Sequence, residues 1–360
     1  MMASKIVHTL MSYVYTGIFL KLKPQPPIQT HPLVDKDNHL PIAVICDTMT
    51  WKNLSQEHAA VFLTPRTWQD TLSKPVKFLL CEAAWSGAEG NLWRGQVYKD
   101  RRVLYENRHS LLRILEQCRS KGIPTVFWAK EDPVYFNHEV YDFTDTALRF
   151  DYILTTAKEC IEKYQALGTK NVHYWSFGFS SSIYYPQQTQ KEQQKEHVAV
   201  FAGSWLTNHP KRCKDLTNLF DTVLDKEIPL KIYDRHRFNG VSTKPFPQKY
   251  QPFVHDAVLY EELGDIYRTS DYVINVNTAD ESSTMFSRRV YEAMACGCIV
   301  ITNKNNELKN QFSETIWFVD EDFDFSRKEI FRQKNIETVF ASHTWEQRMK
   351  ELFAILEIKE

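Results

Sequence analysis

Short apolar runs alternate with helical patterns along the chain from about residue 39 onward. The runs are almost continuously apolar, which is typical of strands buried on both faces of a parallel sheet. In the first half, the predicted strands cover residues 42–47, 77–82, 124–129 and 151–156. Between the second and third of these strands, a helix is predicted over about 97–121, with Leu104, Leu111, Leu112 and Leu115 on one apolar stripe.

The second half repeats this plan after the polar stretch 184–197, which predicts a linker. Its predicted strands cover residues 198–204, 230–235, 271–277, 298–302 and 315–320, and an amphipathic helix over 343–356 closes the chain. The pattern predicts an α/β protein with two doubly wound domains that face a central cleft. Ligands of such sheets bind beyond the carboxyl ends of the strands, so residues just past each strand are the candidates for chemistry.

Five segments follow from this pattern. They are an N-terminal helix and proline-rich connector (1–37), an N-terminal domain (38–183), a linker (184–197), a C-terminal domain (198–342) and a C-terminal helix (343–360). Apolar residues recur at helical spacing within 5–23, and lysines flank them. This helix either packs on the protein body or lies on a membrane surface. It is too polar to span a bilayer and has no signal-peptide cleavage site, so a cytoplasmic protein is expected, with peripheral contact at the inner face of the membrane left open.

Charge and cysteine content narrow the range of partners. The formal net charge is −1, which gives no global field towards nucleic acid, so nucleic acid is excluded from the expected partners. None of the seven cysteines has the doubled C-x-x-C spacing of a zinc site. We interpret them as reduced thiols of a cytosolic protein, and no metal site is predicted.

Two strand ends of the first half carry unusual residues. Glu82 and Trp85 follow the second strand in "CEAAWSGAEGNLW", and the run Lys130, Glu131 and Asp132 follows the third in "WAKEDP". A charge run is ordinarily a solvated loop, but its position at a strand end favours a functional role. The carboxylates suit general-base work on an acceptor hydroxyl, with Glu82 ranked before Asp132 and Glu131 third. Trp85 and Lys130 are predicted to bind substrate.

In the second half, candidates for an anion site follow the strands. Gly203 and Ser204 lie at a strand-to-helix turn, Arg235 ends the next strand, and a third group lies in "SSTMFSRRVYEAMACGCIVITN". Hydroxyls at 282–284 are predicted to cap a helix that starts near 285–287, where free N–H groups favour an anion.

Arginines in the first turn of a helix oppose its dipole, so an anionic ligand would offset their cost. Arg288 and Arg289 are predicted to bind a diphosphate with Ser283 and Thr284, and Glu292 is predicted to accept hydrogen bonds from ribose hydroxyls. The alternative for Glu292 is a surface ion pair with an arginine.

The segment "RRVYEAMACGCIVIT" resembles the donor-binding helix of GT-B glycosyltransferases of the group 1 type. With "FDYILTTAKECIEKY", "VAVFAGSW", "IYDR" and "HTWEQRM", the chain resembles the CgeB-like (spore maturation protein type) members over about residues 41–356. The resemblance implies a nucleotide-diphosphate sugar in the C-terminal domain and an acceptor in the N-terminal one. It also implies that Glu292 contacts ribose. Many group 1 enzymes carry a second glutamate where this chain has Thr284, which leaves retention or inversion at the sugar open.

The resulting prediction is a metal-independent GT-B glycosyltransferase without a cofactor. Its donor is a nucleotide sugar, and its acceptor is a glycan, a lipid-linked glycan or a polymer in cell-surface polysaccharide synthesis. Two alternatives stay open. The first is a nucleotide-sugar epimerase on the same fold, which needs no acceptor. The second is a non-catalytic module that binds sugar nucleotide or polysaccharide.

Overall fold

The structure is a computed structural model that describes residues 40–187 and 195–358. These residues form two compact units that meet in sequence at Trp175 and Ser176. Unit 1 is the part before this point and unit 2 the part after it. The N-terminal helix expected over 5–23 lies outside the described residues. Within the described part, no helix combines the length and apolarity that crossing a bilayer requires.

Unit 1 contains a six-stranded parallel sheet in the order β2-β1-β3-β5-β7-β8. The sheet strands are β1 (Ile42–Ile45), β2 (Ala60–Phe62), β3 (Leu79–Glu82), β5 (Thr125–Ala129), β7 (Tyr152–Thr155) and β8 (Val172–Tyr174), and a separate antiparallel ribbon pairs β4 (Lys99–Asp100) with β6 (Tyr141–Asp142). The four predicted strands are present. The sequence prediction missed β2 and β8, because each has only three residues and carries half-buried positions at an edge of the sheet.

The helices of unit 1 are α1 (Thr48–Glu57), α2 (Trp68–Leu72), α3 (Ala88–Asn91), α4 (His109–Ser120), α5 (Phe143–Ala147) and α6 (Glu159–Ala166). The helix predicted over 97–121 is wrong in its first half, because α4 begins only at His109. Arg108, which is fully buried, pairs with Glu106 and Asp145 and holds the preceding segment in a loop. Leu104 lies in that loop and is 97% exposed, so it belongs to no apolar stripe.

Unit 2 contains a second six-stranded parallel sheet in the order β13-β10-β9-β14-β15-β16. Its strands are β9 (Glu196–Gly203), β10 (Leu230–Asp234), β13 (Val254–His255), β14 (Ser270–Asn275), β15 (Ile299–Thr302) and β16 (Trp317–Phe318), and a small hairpin pairs β11 (Arg237–Phe238) with β12 (Val241–Ser242). The first of the predicted linker residues, Tyr184, is fully buried in unit 2 against Tyr260 and Tyr267.

The helices of unit 2 are α7 (Pro210–Asp225), α8 (Leu263–Thr269), α9 (Arg289–Ala295), α10 (Asn306–Phe312), α11 (Lys328–Ser342) and α12 (Trp345–Ile355). Short 3₁₀ turns cover Gln248–Phe253, Tyr260–Glu262 and Phe325–Arg327. The closing helix is therefore present, with Thr344 and Gln347 forming a capping box at its start.

The helix that opens the "RRVYEAMACG" motif starts later than predicted. It begins at Arg289 rather than at 285–287, and no side chain caps it. The Ser282 hydroxyl accepts a hydrogen bond from the Met285 N–H at 3.0 Å, so it closes a turn before the helix. The expected end is present: Gly297 has φ +71°, and the Cys298 N–H donates to the Ala293 carbonyl at 3.0 Å.

Candidate functional site

Each sheet has one point at which the strand order reverses, and ligands of open α/β sheets bind beyond the carboxyl ends of the strands there. In unit 1 this switch point lies between β1 and β3, because β2 lies on the far side of β1. In unit 2 it lies between β9 and β14, because β10 and β13 lie beyond β9. The candidate side chains gather at these two places, and each unit is described separately.

Arginines from three segments gather at the switch point of unit 2. Arg289, the first residue of α9, donates to the Ala202 carbonyl at 2.6 Å and lies 5.1 Å from the Phe201 ring centroid. Arg212, in the first turn of α7, is buried and donates to the Ser204 carbonyl at 2.9 Å. Both guanidiniums therefore end at the carboxyl end of β9, bonded to backbone carbonyls.

Arg235 and Arg288 complete this arginine cluster (Arg212, Arg235, Arg288 and Arg289). Burial, followed by repulsion from Arg289 and Arg235, lowers the pKa of Arg212 to about 10. Desolvation, followed by the charges of Arg289 and Arg288, also lowers the pKa of Arg235. Each guanidinium makes it less favourable for its neighbours to be charged. An anion bound among them would relieve this repulsion.

Glu292 is the carboxylate that accompanies the arginine cluster. It is buried, and its Oε1 accepts a hydrogen bond from the Tyr260 hydroxyl at 2.5 Å and pairs with Arg288 Nε at 3.2 Å. The predicted ion pair between Arg288 and Glu292 is therefore present, but it is buried rather than on the surface. The Arg288 guanidinium also lies 5.7 Å from the Phe177 ring centroid and 5.8 Å from the Tyr260 ring centroid.

Gly203 and Ser204 lie beside the arginine cluster. A Cβ on Gly203 would come within 2.7 Å of the Phe201 ring and 3.4 Å of Arg289 Nη2, so glycine is required for this packing. The Gly203 carbonyl accepts from the Arg235 N–H at 3.0 Å, which joins the ends of β9 and β10. The structure therefore brings Gly203, Ser204 and the arginines together, as the strand-end rule predicts.

Ser283 and Thr284 lie in the loop that joins β14 to α9. Asparagines that the sequence prediction missed hold this loop at its base. The Asn277 Oδ1 accepts from the Ser287 N–H at 3.2 Å, and Asn305 Nδ2 donates to the Met285 carbonyl at 3.1 Å. Thr284 is buried and Ser283 is exposed, so the two predicted diphosphate contacts have different surroundings.

At the switch point of unit 1, a lysine lies among three carboxylates. Lys130 Nζ is 3.0 Å from Asp47 Oδ2 and 3.8 Å from Glu131 Oε1, and it forms a closer contact with Glu82 Oε1. Burial lowers the pKa of Lys130, but the carboxylates outweigh it and hold that pKa above its ordinary value. Lys130 is thus bound within the protein, and Glu82 is 0% exposed at the end of β3.

Asp47 fixes the loop that follows β3. Its carboxylate accepts hydrogen bonds from the backbone N–H groups of Trp85 (3.0 Å), Ser86 (3.0 Å) and Gly87 (2.8 Å). Burial raises the pKa of Asp47, but Lys130 and these N–H groups outweigh it and lower that pKa below its ordinary value. Asp47 is therefore a charged acceptor that positions the loop carrying Trp85.

The two carboxylates that follow Lys130 have different environments. Glu131 is partly exposed and accepts a hydrogen bond from the Trp85 side chain; burial raises its pKa. Asp132 is only 3% exposed and accepts from the Thr155 hydroxyl at 2.7 Å, so it lies towards β7 and away from the others. The structure therefore brings Glu82, Glu131, Lys130 and Trp85 together and leaves Asp132 apart.

The sequence prediction missed Asp47 and Arg212. Asp47 was placed inside the first strand, although it lies two residues beyond the end of β1. Arg212 follows the glycine turn after β9 by nine residues, at a helix start that carries Lys211 and Arg212 and no acidic residue. The available signal in the sequence for Arg212 was a basic first turn in the helix that follows a strand.

The described residues contain no group of three His, Cys, Asp or Glu side chains arranged to hold a metal ion. The independence from metal expected from the sequence stays a prediction.

Comparison with known proteins identifies the type of fold. Residues 218–354 match a family model described as glycosyl transferase-like. An α-glucosyltransferase in complex with UDP and a 13-mer DNA containing a HMU base is 11% identical, with 89% of this chain and 100% of that chain covered and a TM-score of 0.61. Anabaena HepE in complex with UDP-glucose is 11% identical over the same shares, with a TM-score of 0.56. No curated protein sequence matches the chain.

At these identities the likeness concerns the fold, and the fold is that of GT-B glycosyltransferases, with two parallel six-stranded α/β sheets. The predicted fold class is thereby confirmed.

The exclusion of nucleic acid as a partner is wrong. Three solved structures of this fold type are α-glucosyltransferases in complex with DNA. The exclusion rested on the formal net charge of −1. A net charge averages over the whole surface, whereas a partner responds to the local field at its own site.

Proposed function

We propose that this chain is a glycosyltransferase whose donor is a nucleotide-diphosphate sugar, with UDP as the nucleotide. The observation that carries the proposal is the arginine cluster at the switch point of unit 2. There, burial, followed by mutual repulsion, lowers the pKa of Arg212 and of Arg235, and the Glu292 carboxylate lies beside Arg288 and the Tyr260 hydroxyl. Complexes of two proteins of this fold, one with UDP and one with UDP-glucose, support the choice of nucleotide.

The arginines would stabilise the charge that develops on the departing nucleoside diphosphate. Arg289 and Arg212 are held by backbone carbonyls, so their guanidiniums are positioned before the ligand arrives. This supports charge neutralisation by the protein itself, and we propose that transfer needs no metal ion.

The proposal also covers the transferred sugar, the acceptor and the location of the enzyme. We propose a hexosyl transfer to a hydroxyl of a glycan or polymer in cell-surface polysaccharide synthesis, by a cytoplasmic enzyme of the CgeB-like type that the motifs predict. DNA belongs in the same acceptor screen, because proteins of this fold are found in complex with it.

Arg235 offers the sharpest test of the donor site. Its side chain keeps solvent-accessible surface although the protein around it desolvates the guanidinium, and it has no hydrogen-bond or ion-pair partner among the described residues. Arg235→Ala therefore removes charge without removing a structural contact. A lost charge-assisted contact is worth roughly 1.5–3 kcal/mol, so the Kd for UDP should rise about tenfold or more. Calorimetric titration with UDP measures this change.

The free variant should be as stable as the wild type or more stable, because the neighbouring guanidiniums disfavour the charge of Arg235. Arg327→Ala is the matched control, since Arg327 is an exposed arginine of the same unit that lies over Phe331. Equal UDP affinity in the wild type and both variants would contradict the assigned donor site.

A further inference from the structure

The loop between β14 and α9, residues 276–288, leads directly into the arginine cluster of unit 2. Three asparagines hold this loop, and each of them is at most 6% exposed. Buried amides that bond to backbone groups fix the backbone, because breaking such a bond leaves a buried polar group unsatisfied. We refer to these residues as the asparagine clamp (Asn277, Asn303 and Asn305).

Asn303 fixes the start of the loop. Its Oδ1 accepts a hydrogen bond from the Asn277 N–H at 2.9 Å, and its Nδ2 donates to the Asn277 carbonyl at 3.2 Å. The side-chain amide thus extends the hydrogen bonding between β14 and β15 into the loop. The same Nδ2 donates to Asp215 Oδ2 of α7 at 3.2 Å, so both of its N–H groups are used.

Asn305 and Asn277 fix the end of the loop. Asn305 Nδ2 donates to the Met285 carbonyl at 3.1 Å and lies 3.4 Å from the Ala279 carbonyl. The Asn277 Oδ1 accepts from the Ser287 N–H at 3.2 Å. These two amides join the first residues of the loop to its last, so the backbone that enters α9 has little conformational freedom.

The clamp also connects the loop to α7, which carries Arg212 in its first turn. Lys211 pairs with Asp215 at 3.5 Å and with Asp280 of the loop, and Asp215 accepts from Asn303. The guanidiniums of α7 and α9 repel each other. Without a bound anion, this repulsion acts to separate α7 from the loop, and the hydrogen bonds of the clamp oppose the separation.

We propose that the asparagine clamp positions the arginine cluster for its anionic ligand by holding the loop 276–288 against α7 before the ligand binds. A loop that is already ordered raises affinity, because binding does not have to order it. The three asparagines are positioning residues, since they act through the loop and the arginines. The identity of the ligand as a nucleoside diphosphate rests on the proposed function, whereas the order of the loop can be tested without any ligand.

Asn305→Ser is the most selective variant. The Asn305 Oδ1 also caps α10 by accepting from the Leu308 N–H at 3.0 Å, and serine keeps this capping function while lacking the amide donor. Asn303→Ser removes the contacts at the start of the loop and is the second variant. Asn335→Ser is the matched control, because Asn335 is 1% exposed and donates to the Thr315 carbonyl at 3.2 Å, outside the loop.

Hydrogen exchange of the full chain, followed by mass spectrometry, measures the order of the loop, and calorimetric titration measures the affinity for UDP. In the free protein, the amides of residues 278–287 should exchange faster in both clamp variants than in the wild type and in Asn335→Ser. The Kd for UDP should rise about threefold to tenfold in the clamp variants alone. Saturating UDP should slow the exchange of the loop again.

The proposal is overturned if the loop of Asn305→Ser or, where that variant does not fold, of Asn303→Ser exchanges as in the control. It is also overturned if UDP affinity equals that of the control although the loop exchanges faster, or if neither clamp variant folds. Failure of UDP to bind the wild type would count against the proposed function. Pyrophosphate would then replace UDP as the anion in the same titrations, and the exchange of the free loop would test the clamp as before.

Discussion

Residues of the same chemical type have different roles here because their surroundings differ. Glu131 and Asp132 are neighbours in sequence, yet one is partly exposed beside Trp85 and the other is 3% exposed beside Thr155. Burial raises the pKa of Asp132 to about 7, although the hydroxyls of Thr155 and Tyr164 act to lower it. Its place in the interior makes Asp132 a group that affects stability more than it contacts a ligand.

Asp132 should make stability fall as pH rises. Its folded pKa of about 7 exceeds the ordinary value of 3.8, so between these values the folded protein holds a proton that the unfolded chain has lost. The free energy of unfolding should therefore decrease by up to about 1.4 kcal/mol per pH unit over this range. Denaturant unfolding of the wild type and of Asp132→Asn at pH 5 and pH 8 measures it.

Asp132→Asn cannot ionise, so its stability relative to the wild type should improve from pH 5 to pH 8. If the difference in unfolding free energy between the two proteins is the same at both pH values, Asp132 titrates in its ordinary range and this interpretation is wrong.

At the scale of elements, one lysine joins the ends of two helices of unit 2. Lys195 Nζ lies within hydrogen-bond distance of the carbonyl oxygens of Arg268 (2.9 Å), Ser270 (3.0 Å), Tyr267 (3.1 Å) and Cys296 (3.1 Å), and its three N–H groups are shared among these four acceptors. These carbonyls lie at the C-terminal ends of α8 and α9, where a positive charge is favourable. The ammonium thus satisfies acceptors that the helices themselves leave open.

Lys195→Met keeps most of the side-chain volume but removes the ammonium. Because it leaves buried carbonyls without a donor, the free energy of unfolding should fall by about 2–4 kcal/mol. The matched control is Lys231→Met, since Lys231 forms an exposed pair with Glu196 and should cost less than about 1 kcal/mol. Denaturant unfolding compares the two, and an equal effect would show that Lys195 is no more than a surface lysine.

Elements were more predictable from sequence than contacts between them. Continuous apolar runs identified the central strands, because burial on both faces leaves little choice of residue. The long helix was predicted partly because Leu104 continues the apolar stripe. In the structure Leu104 is exposed, because Arg108 pairs with Glu106 and Asp145 and holds the preceding segment in a loop. Hydrophobic periodicity does not reveal such ion pairs. In the same way, the strand-end rule found Glu82, Lys130 and Arg235, but not Asp47, whose role depends on backbone N–H groups 38 to 40 residues away.

At the scale of the whole molecule, the formal net charge of −1 combines two opposite local fields. Four arginines gather at the switch point of unit 2, and three carboxylates gather around one lysine at that of unit 1. The net charge therefore does not reveal that one unit carries a basic cluster and the other an acidic one. This is why the average charge misled the prediction about partners.

Transfer of a sugar to an acceptor tests the central proposal most directly. The full chain is incubated in EDTA with a panel of nucleotide sugars and an acceptor panel of glycans and DNA, and acceptors are analysed by mass spectrometry. At least one acceptor should gain a hexose while a nucleoside diphosphate is released, and Arg235→Ala should reduce the rate while Arg327→Ala does not. If nucleotide sugars bind but no acceptor gains a sugar, with or without added Mg²⁺ or Mn²⁺, the chain is a binding module and the proposed function is contradicted.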